Sequence, residues 1–575
     1  MTTHFSKKRR KGTIVVLVLV IIAILTLAAL TFSELMLTER RGTDFSVRKT
    51  QARLFAESGI EAVRIALLLD EEELEEFGEL YDNPDQFCGV LVTDSLEDAR
   101  DVGRFSVISP FLDENGLYSE SEVRYGLADE SAKLNLRLIF EYETLQPGAG
   151  RDILVRLPGI DETIADAILD WLDDDDEQRE YGFEYDHYET LDPPYSPRNG
   201  MVESIEELLL VEEMTPGLLF GADYNRNNMI DLGEPDPTTI DDVYGNNEGL
   251  LDCGLVSLLT IDSKENVTTE NGGKKVYVNN DDLQTLQTEL NSALNNEQWV
   301  NYILAYRLYG TTGKLTDDSE ETTVSSSFSS VSSASSVSSA DSPVPADSGT
   351  ASSPGQSSSG SGQLDLSQPP RARINSPFDL IGGSLQVQYV GQTSTSTMQS
   401  PFAEDTGSMS SYLPRLIDVL TFSEKANVAR VNINEAPLGV LLAIPGMTDE
   451  AADAIIANRI PDPVEAAKED SEERKTYAWP LLMDLIDLDT MKKIGPFLSQ
   501  PGSVKTAQIV GRFDSRSPTV RLKVYFDISE KPSKILRIVD LSDLGPGYPL
   551  DLLGVNTDSI SIFSTGVAAS AMMSQ

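Results

Sequence analysis

Residues 223–234, DYNRNNMIDLGE, place side-chain oxygens at positions 1, 3, 5, 9 and 12 of a 12-residue loop. Oxygens at that spacing converge on one centre, which is what a hard cation such as Ca²⁺ requires. The side-chain ligands in this reading are Asp223, Asn225, Asn227, Asp231 and Glu234, and Met229 offers its carbonyl. Asn228 stands at the usual glycine position, and Asn tolerates the left-handed backbone needed there. Pro235 argues against a regular exiting helix. With three carboxylates the affinity is expected on the order of 10⁻⁴ M or weaker. An Asn/Asp-rich turn without a metal is the alternative.

A second acidic run, DWLDDDDEQR, occupies residues 170–179. Asp173, Asp175, Glu177 and the later Glu184 form a second candidate cation cluster, with a solvated acidic loop as its alternative. Other site chemistry is sparse. His4 and His187 are the two histidines, too few for a multi-His metal centre. Cys88 and Cys253 are too few for a zinc ribbon or a disulfide scaffold, although in an oxidising compartment they can pair. No nucleophile lies at a recognisable spacing from His187, and no phosphate-binding glycine loop of the Gly-x-x-x-x-Gly-Lys type occurs. The chain is therefore not expected to be an enzyme.

The elements that must carry these residues follow from charge and periodicity. The 575 residues include 45 basic and 93 acidic side chains, a net charge of −48. Residues 1–53 hold ten basic and three acidic residues, whereas the remaining 522 carry 35 and 90. Lys7-Lys-Arg-Arg-Lys11 precedes Gly12, and Thr13–Phe32 is a 20-residue run without charge. At about 1.5 Å per residue it matches the hydrocarbon core of a bilayer, with the basic end cytoplasmic. Helical spacing continues through Phe45, Ala52, Phe55, Gly59, Val63 and Leu67, with no proline between Gly12 and Asp70. One long helix is expected, half in lipid and half amphipathic. Its apolar stripe is expected to meet partner helices, with packing on its own domain as the alternative.

Short alternating runs across 104–139 read as strands, and 519–540 reads as a hairpin turning at Pro532-Ser533. Mostly helical patterns separate them. Leu157-Pro-Gly159 and Ile444-Pro-Gly446 each open a helix with Ala and Ile at three- and four-residue spacing, so the helical insertion holds an internal repeat. Ser325–Ser361 has 19 serines in 37 residues and no basic residue, which marks a flexible spacer.

The basic leader, Gly12, and the uncut apolar helix together resemble a class III, type IV pilin-like signal. The resemblance implies cleavage by a prepilin peptidase after Gly12, leaving Thr13 as the new N-terminus. Leu17 stands where most such proteins carry Glu, a departure that suits one subtype, the K minor pseudopilins of type II secretion systems. The stretch Ala52–Val63 also looks like that subtype's helix. Asp170-Trp171, the acidic cluster, Gly182-Phe-Glu184-Tyr-Asp-His-Tyr188, Pro193-Pro-Tyr195, Ile205-Glu-Glu-Leu and Val431-Asn-Ile-Asn-Glu-Ala-Pro437 are similar to the hallmarks of type II secretion protein K. The resemblance implies an inner-membrane, single-pass protein with its bulk in the periplasm, placed at the pseudopilus tip. Its implied partners are other minor pseudopilins and the major pseudopilin. It also implies calcium binding near Asp173–Glu184.

The expected fold is α+β: a pilin-like N-terminal helix, a small antiparallel sheet, and a large helical insertion with duplicated helix-hairpin-helix (SAM-like) modules. The expected divisions are a leader at 1–12, the long helix at 13–70 and first strands at 100–140. A first helical module follows at 141–222, an extension with the calcium-like loop at 223–320, and a Ser-rich linker at 321–376. A further extension fills 377–426, a second helical module 427–502, C-terminal strands 503–545 and a tail 546–575. A membrane-tethered helix-hairpin-helix protein of a DNA-uptake or type IV pilus system is the rival reading. The carboxylates at 173–177 oppose it, since they repel a phosphate backbone, and no nucleic-acid partner is expected.

Overall fold

The computed structural model describes residues 13–93, 101–113, 115–229, 231, 234, 253–310, 363–424, 428–462, 474, 476–514 and 518–554. Helix α1 runs unbroken from Thr13 to Ala66, about 80 Å at helical rise. No proline interrupts it, and the hydroxyls of Thr26, Thr31, Thr38 and Thr43 fold back to donate to carbonyls three or four residues earlier. Its large apolar side chains from Ile14 to Leu37 are exposed. This is the one helix among the described residues long and apolar enough to cross a membrane. Gly12 lies outside the described residues.

The second half of α1 lies on an antiparallel sheet. Its strands are β1 (Val90–Thr93), β2 (Gly103–Leu112), β3 (Tyr118–Arg124), β4 (Ala128–Asp129), β5 (Val504–Phe513), β6 (Val520–Asp527) and β7 (Lys534–Asp540). The order is β1-β2-β5-β6-β7, with β3 beside β2 and β4 beside β5. Strands from opposite ends of the sequence thus meet at the β2–β5 pair, from Gly103↔Phe513 to Ile108↔Gln508. Ala52, Ala56, Ile60 and Val63 of α1 bury against Phe105, Val107, Ile509 and Val524, at roughly 1.5–3 kcal/mol for each large aliphatic or aromatic side chain. Gly59 allows that approach, because a Cβ there would come within 2.7 Å of Ile509 Cγ2.

That packing corrects one expectation. The stripe through Phe55, Gly59 and Val63 is the interface with the chain's own sheet, not a surface for partner helices, while Phe45 is exposed. A second correction concerns 136–139, read as strand. Asn135 accepts a hydrogen bond from the Arg137 backbone N–H at 2.8 Å and starts helix α2 (Leu136–Leu145). Leu136, Leu138 and Ile139 are buried on it.

The Pro-Gly turns each join two helices. Gly159 (φ 76°) lies between α3 (Ala149–Leu154) and α4 (Glu162–Leu172). Gly446 (φ 85°) lies between the helices Leu438–Ala443 and Asp449–Asn458. Left-handed backbone at these positions is accessible to glycine without steric cost.

The chain divides into two compact units, residues 1–277, 375–379 and 404–575 in one, and 278–374 and 380–403 in the other. The second holds the helices Leu283–Leu294 and Glu297–Tyr309 and a hairpin of Ser384–Val387 with Ser396–Gln399. The Ser-rich linker was expected to reach 376, yet residues 363–376 are described and folded. Ile374 is buried, and its backbone N–H and C=O both bond the Asn279 amide, at 2.9 and 2.8 Å. The Ser325–Ser361 segment lies outside the described residues.

Candidate metal centre

Helix α4 places the first carboxylates. Asp161 caps it by accepting from the Ile164 N–H at 2.9 Å, and every residue from Ile164 to Leu172 is buried. Trp171 anchors the far end by packing edge-on to Tyr188 at 5.3 Å. Asp170 on the last turn and Asp173, the extended residue that caps the helix with its N–H bonded to the Leu169 carbonyl, are both buried there. The chain returns through Gly182, where a Cβ would lie 1.9 Å from Asp170 Oδ2. Only glycine lets it pass there, and it brings Glu184 to the same place. Asp170, Asp173 and Glu184 are all buried, and each offers an oxygen within 4.8 Å of the others.

Charge balance at this cluster is incomplete. Arg179 Nη1 donates to Asp170 Oδ1 at 2.6 Å and to Asp173 Oδ2, and the Arg179 backbone N–H donates to Asp170 Oδ2 at 3.2 Å. Asp173 Oδ1 and both oxygens of Glu184 are buried with no hydrogen-bond partner. Burial, reinforced by Asp170 and Asp173, pushes the Glu184 carboxyl up to about 8. Burial also pushes Asp173 up to about 6 despite Arg179, and raises Asp170. Three converging carboxylates with orphaned oxygens are a hard-donor set that fits Ca²⁺, whose charge would reverse the burial penalty. Such an ion would tie the end of α4 to the Glu184 turn, a structural role.

Of the four residues expected here, Asp173 and Glu184 come together. Asp175 and Glu177 do not: both are exposed, and Asp175 Oδ1 accepts from the Glu177 N–H at 2.8 Å, closing a turn. Asp170 was missed, although its three-residue spacing from Asp173 was visible.

The 223–234 loop is arranged differently. Asp223 is buried and accepts from the backbone N–H groups of Asn227 at 3.1 Å and Asn228 at 2.8 Å. The side-chain amides of Asn225 and Asn227 both donate to Asp231. Glu234 accepts from the Asp231 N–H at 2.9 Å, and the Met229 N–H donates to Asn227 Oδ1 at 2.8 Å. Asn228 has φ 61°, the left-handed conformation expected of the sixth position. The loop docks on the sheet face opposite α1: Asn227 donates to the Gly547 carbonyl, Arg521 to the Asn225 carbonyl, and Met229 packs with Ile108, Val510 and Tyr548.

Cys88 and Cys253 are not joined in a disulfide. Cys88 Sγ faces the Leu552 carbonyl at 3.7 Å, whereas Cys253 is buried beside Ser257 and Tyr118.

Residues 133–220, which contain the whole carboxylate cluster, match the family model for the first domain of type II secretion system (T2SS) protein K. No curated protein matches the chain. Among solved structures, a chain of the GspK-GspI-GspJ complex from the enterotoxigenic Escherichia coli Type 2 Secretion System is similar. It has 11% identity over 88% of this chain and 99% of that one, with a TM-score of 0.34. Residues 133–220 are therefore similar to the first domain of type II secretion system protein K.

Proposed function

We propose that the protein is a minor pseudopilin that caps the pseudopilus of a type II secretion system and takes part in its assembly and in protein secretion across the outer membrane. The observation that carries this reading is the protein K domain at 133–220, inserted between strands of the sheet that seats α1. The exposed apolar half of α1, Ile14–Leu37, is suited first to the inner membrane and then to the helices of the major pseudopilin and other minor pseudopilins. A prepilin peptidase would cut between Gly12 and Thr13, with the N-terminus cytoplasmic and the bulk periplasmic. The protein's work in this reading is assembly rather than catalysis. Calcium at Asp170, Asp173 and Glu184 would hold the inserted domain in shape.

The test is complementation of a strain lacking the gene. The wild-type gene should restore secretion and yield a mature N-terminus at Thr13 by mass spectrometry. Gly12→Val should leave uncut protein in the inner membrane and secretion lost. Normal secretion in the deletion strain, or cleavage well beyond Phe32, overturns the reading.

A further inference from the structure

A cavity of ≈ 100 Å³ lies on the sheet face opposite α1. Thr506 and Gln508 of β5 and Lys523 and Tyr525 of β6 line one side, and Glu130 and Lys133 line the other. Register pairs Thr506 with Tyr525 and Gln508 with Lys523, so Thr506 and Gln508, two apart, project from the same face. Glu130 Oε2, Thr506 Oγ1 and Gln508 Oε1 are buried and have no hydrogen-bond partner. Their residues are 1%, 6% and 6% exposed. Unsatisfied buried groups of this kind call for an occupant.

The unused capacity specifies that occupant's chemistry. The Gln508 amide nitrogen already donates to the Arg226 carbonyl at 2.7 Å, which leaves Oε1 as an acceptor. A carboxylate oxygen and an amide oxygen only accept, and a hydroxyl does either. The occupant must therefore donate hydrogen bonds. Acidic and basic side chains line the cavity in nearly equal number, and Lys133 Nζ sits 3.6 Å from Glu130 Oε1. A net charge on the occupant gains little from such a wall. Tyr118, Phe220 and Tyr525 add apolar ring surface. A cavity of about 150 Å³ accommodates benzene, so this one suits a molecule of roughly four non-hydrogen atoms. We propose that the cavity binds a small neutral diol of about ethylene glycol's size. Its hydroxyls would donate to Glu130 and Gln508 and share a hydrogen bond with Thr506.

The test is ligand-observed NMR on the full-length protein in detergent, titrated with ethylene glycol, propan-1-ol and ethylammonium. Ethylene glycol should saturate, and both comparators should bind at least about tenfold more weakly. Glu130→Gln and Gln508→Met should each weaken ethylene glycol binding by about tenfold. Thr506→Val, which removes one hydroxyl with little change of volume, should weaken it severalfold and serves if the other variants fail to fold. Absence of saturable ethylene glycol binding would mean that the cavity holds water alone, and the proposal falls. It falls equally if propan-1-ol binds as well, if ethylammonium binds better, or if the folded variants bind ethylene glycol like the wild type.

Discussion

Asp170, Asp173 and Glu184 on one side, and Asp223, Asp231 and Glu234 on the other, are each three carboxylates gathered from a short stretch of chain. In the first set, three oxygens point into the interior without a partner. In the second, the loop supplies its own donors: backbone N–H groups to Asp223, asparagine amides to Asp231, and the Asp231 N–H to Glu234. Spacing in sequence was more suggestive for the second set, and convergence in space favours the first. A motif specifies which oxygens are near one another along the chain. Whether they remain available depends on the donors that tertiary packing brings, such as the contacts of Arg521 and Gly547 with the loop.

The largest expected effect separates the two sites directly. Full-length protein in detergent should melt higher in millimolar Ca²⁺ than in chelator. At a concentration 100-fold above Kd the gain is about 2.7 kcal/mol, which is about 2 °C for a 575-residue chain melting as one unit. Asp173→Asn with Glu184→Gln should abolish the shift, while Asp223→Asn with Asp231→Asn should keep it. The reverse pattern would make the loop the cation site and the buried cluster an unmetallated one.

Titration sharpens the contrast. In chelated protein, Glu184 is raised from its ordinary 4.5 to about 8. A raised carboxyl favours folding while protonated, so its contribution is complete below pH 4.5 and is lost as pH rises through 8. Calcium binds the ionised form, so the Ca²⁺-dependent gain should grow between pH 5 and pH 8. Asp223, raised from 3.8 to about 6, should lose its contribution over a lower window, from about pH 4 to 6. Asp173, also raised to about 6, shares that window, so the lower limb should shrink in Asp173→Asn with Glu184→Gln and shrink further when Asp223→Asn is added. Thermal melts across pH in chelator read both, and a Ca²⁺ gain that is flat with pH would count against Glu184 as a ligand.

Much of the architecture was legible because it is written in local pattern. The uncharged run after Lys11 gives α1, the alternation in 519–540 gives the β6–β7 hairpin, and the Pro-Gly pairs mark the turns before Glu162 and Asp449. What stayed hidden depended on contacts between distant segments. The sheet that buries Phe55 and Val63 joins β2 to β5 across some four hundred residues, so the sequence could not tell an internal face from a partner surface. Asp170 looked like one more acid in an acidic run, because nothing local announces that Gly182 will close over it. Asp175 and Glu177 looked like ligands because turn-forming and metal-binding acids share a composition.

Smaller effects probe the loop's docking. Arg521 is buried with Nε and Nη1 unpartnered, and burial lowers its pKa. Arg521→Met removes the hydrogen bond to Asn225 but also removes a buried charge. The two changes oppose each other, so stability should move by no more than about 1 kcal/mol in either direction. A loss of several kcal/mol in a denaturant titration would show that Arg521 is the loop's resident cation, neutralising Asp223 and Asp231 in place of a metal.

The smallest effect is expected at Asn228, and it tests the loop reading at its most metal-like position. The residue is left-handed at φ 61°, and its contact with Asp223 Oδ2 comes from the backbone N–H. Asn228→Gly keeps that hydrogen bond and relieves the steric cost of the left-handed backbone, but it also frees the unfolded chain. These contributions nearly cancel, so the melting point in chelator should change by the equivalent of about 0.5 kcal/mol or less. If the loop is a self-satisfied turn, the Ca²⁺-dependent shift should be the same in Asn228→Gly as in the wild type. If the loop binds the ion, glycine at this position should tighten binding and enlarge the shift. The comparison of the two carboxylate sets then turns on whether this one substitution, far from Glu184 in sequence, changes the response to Ca²⁺ at all.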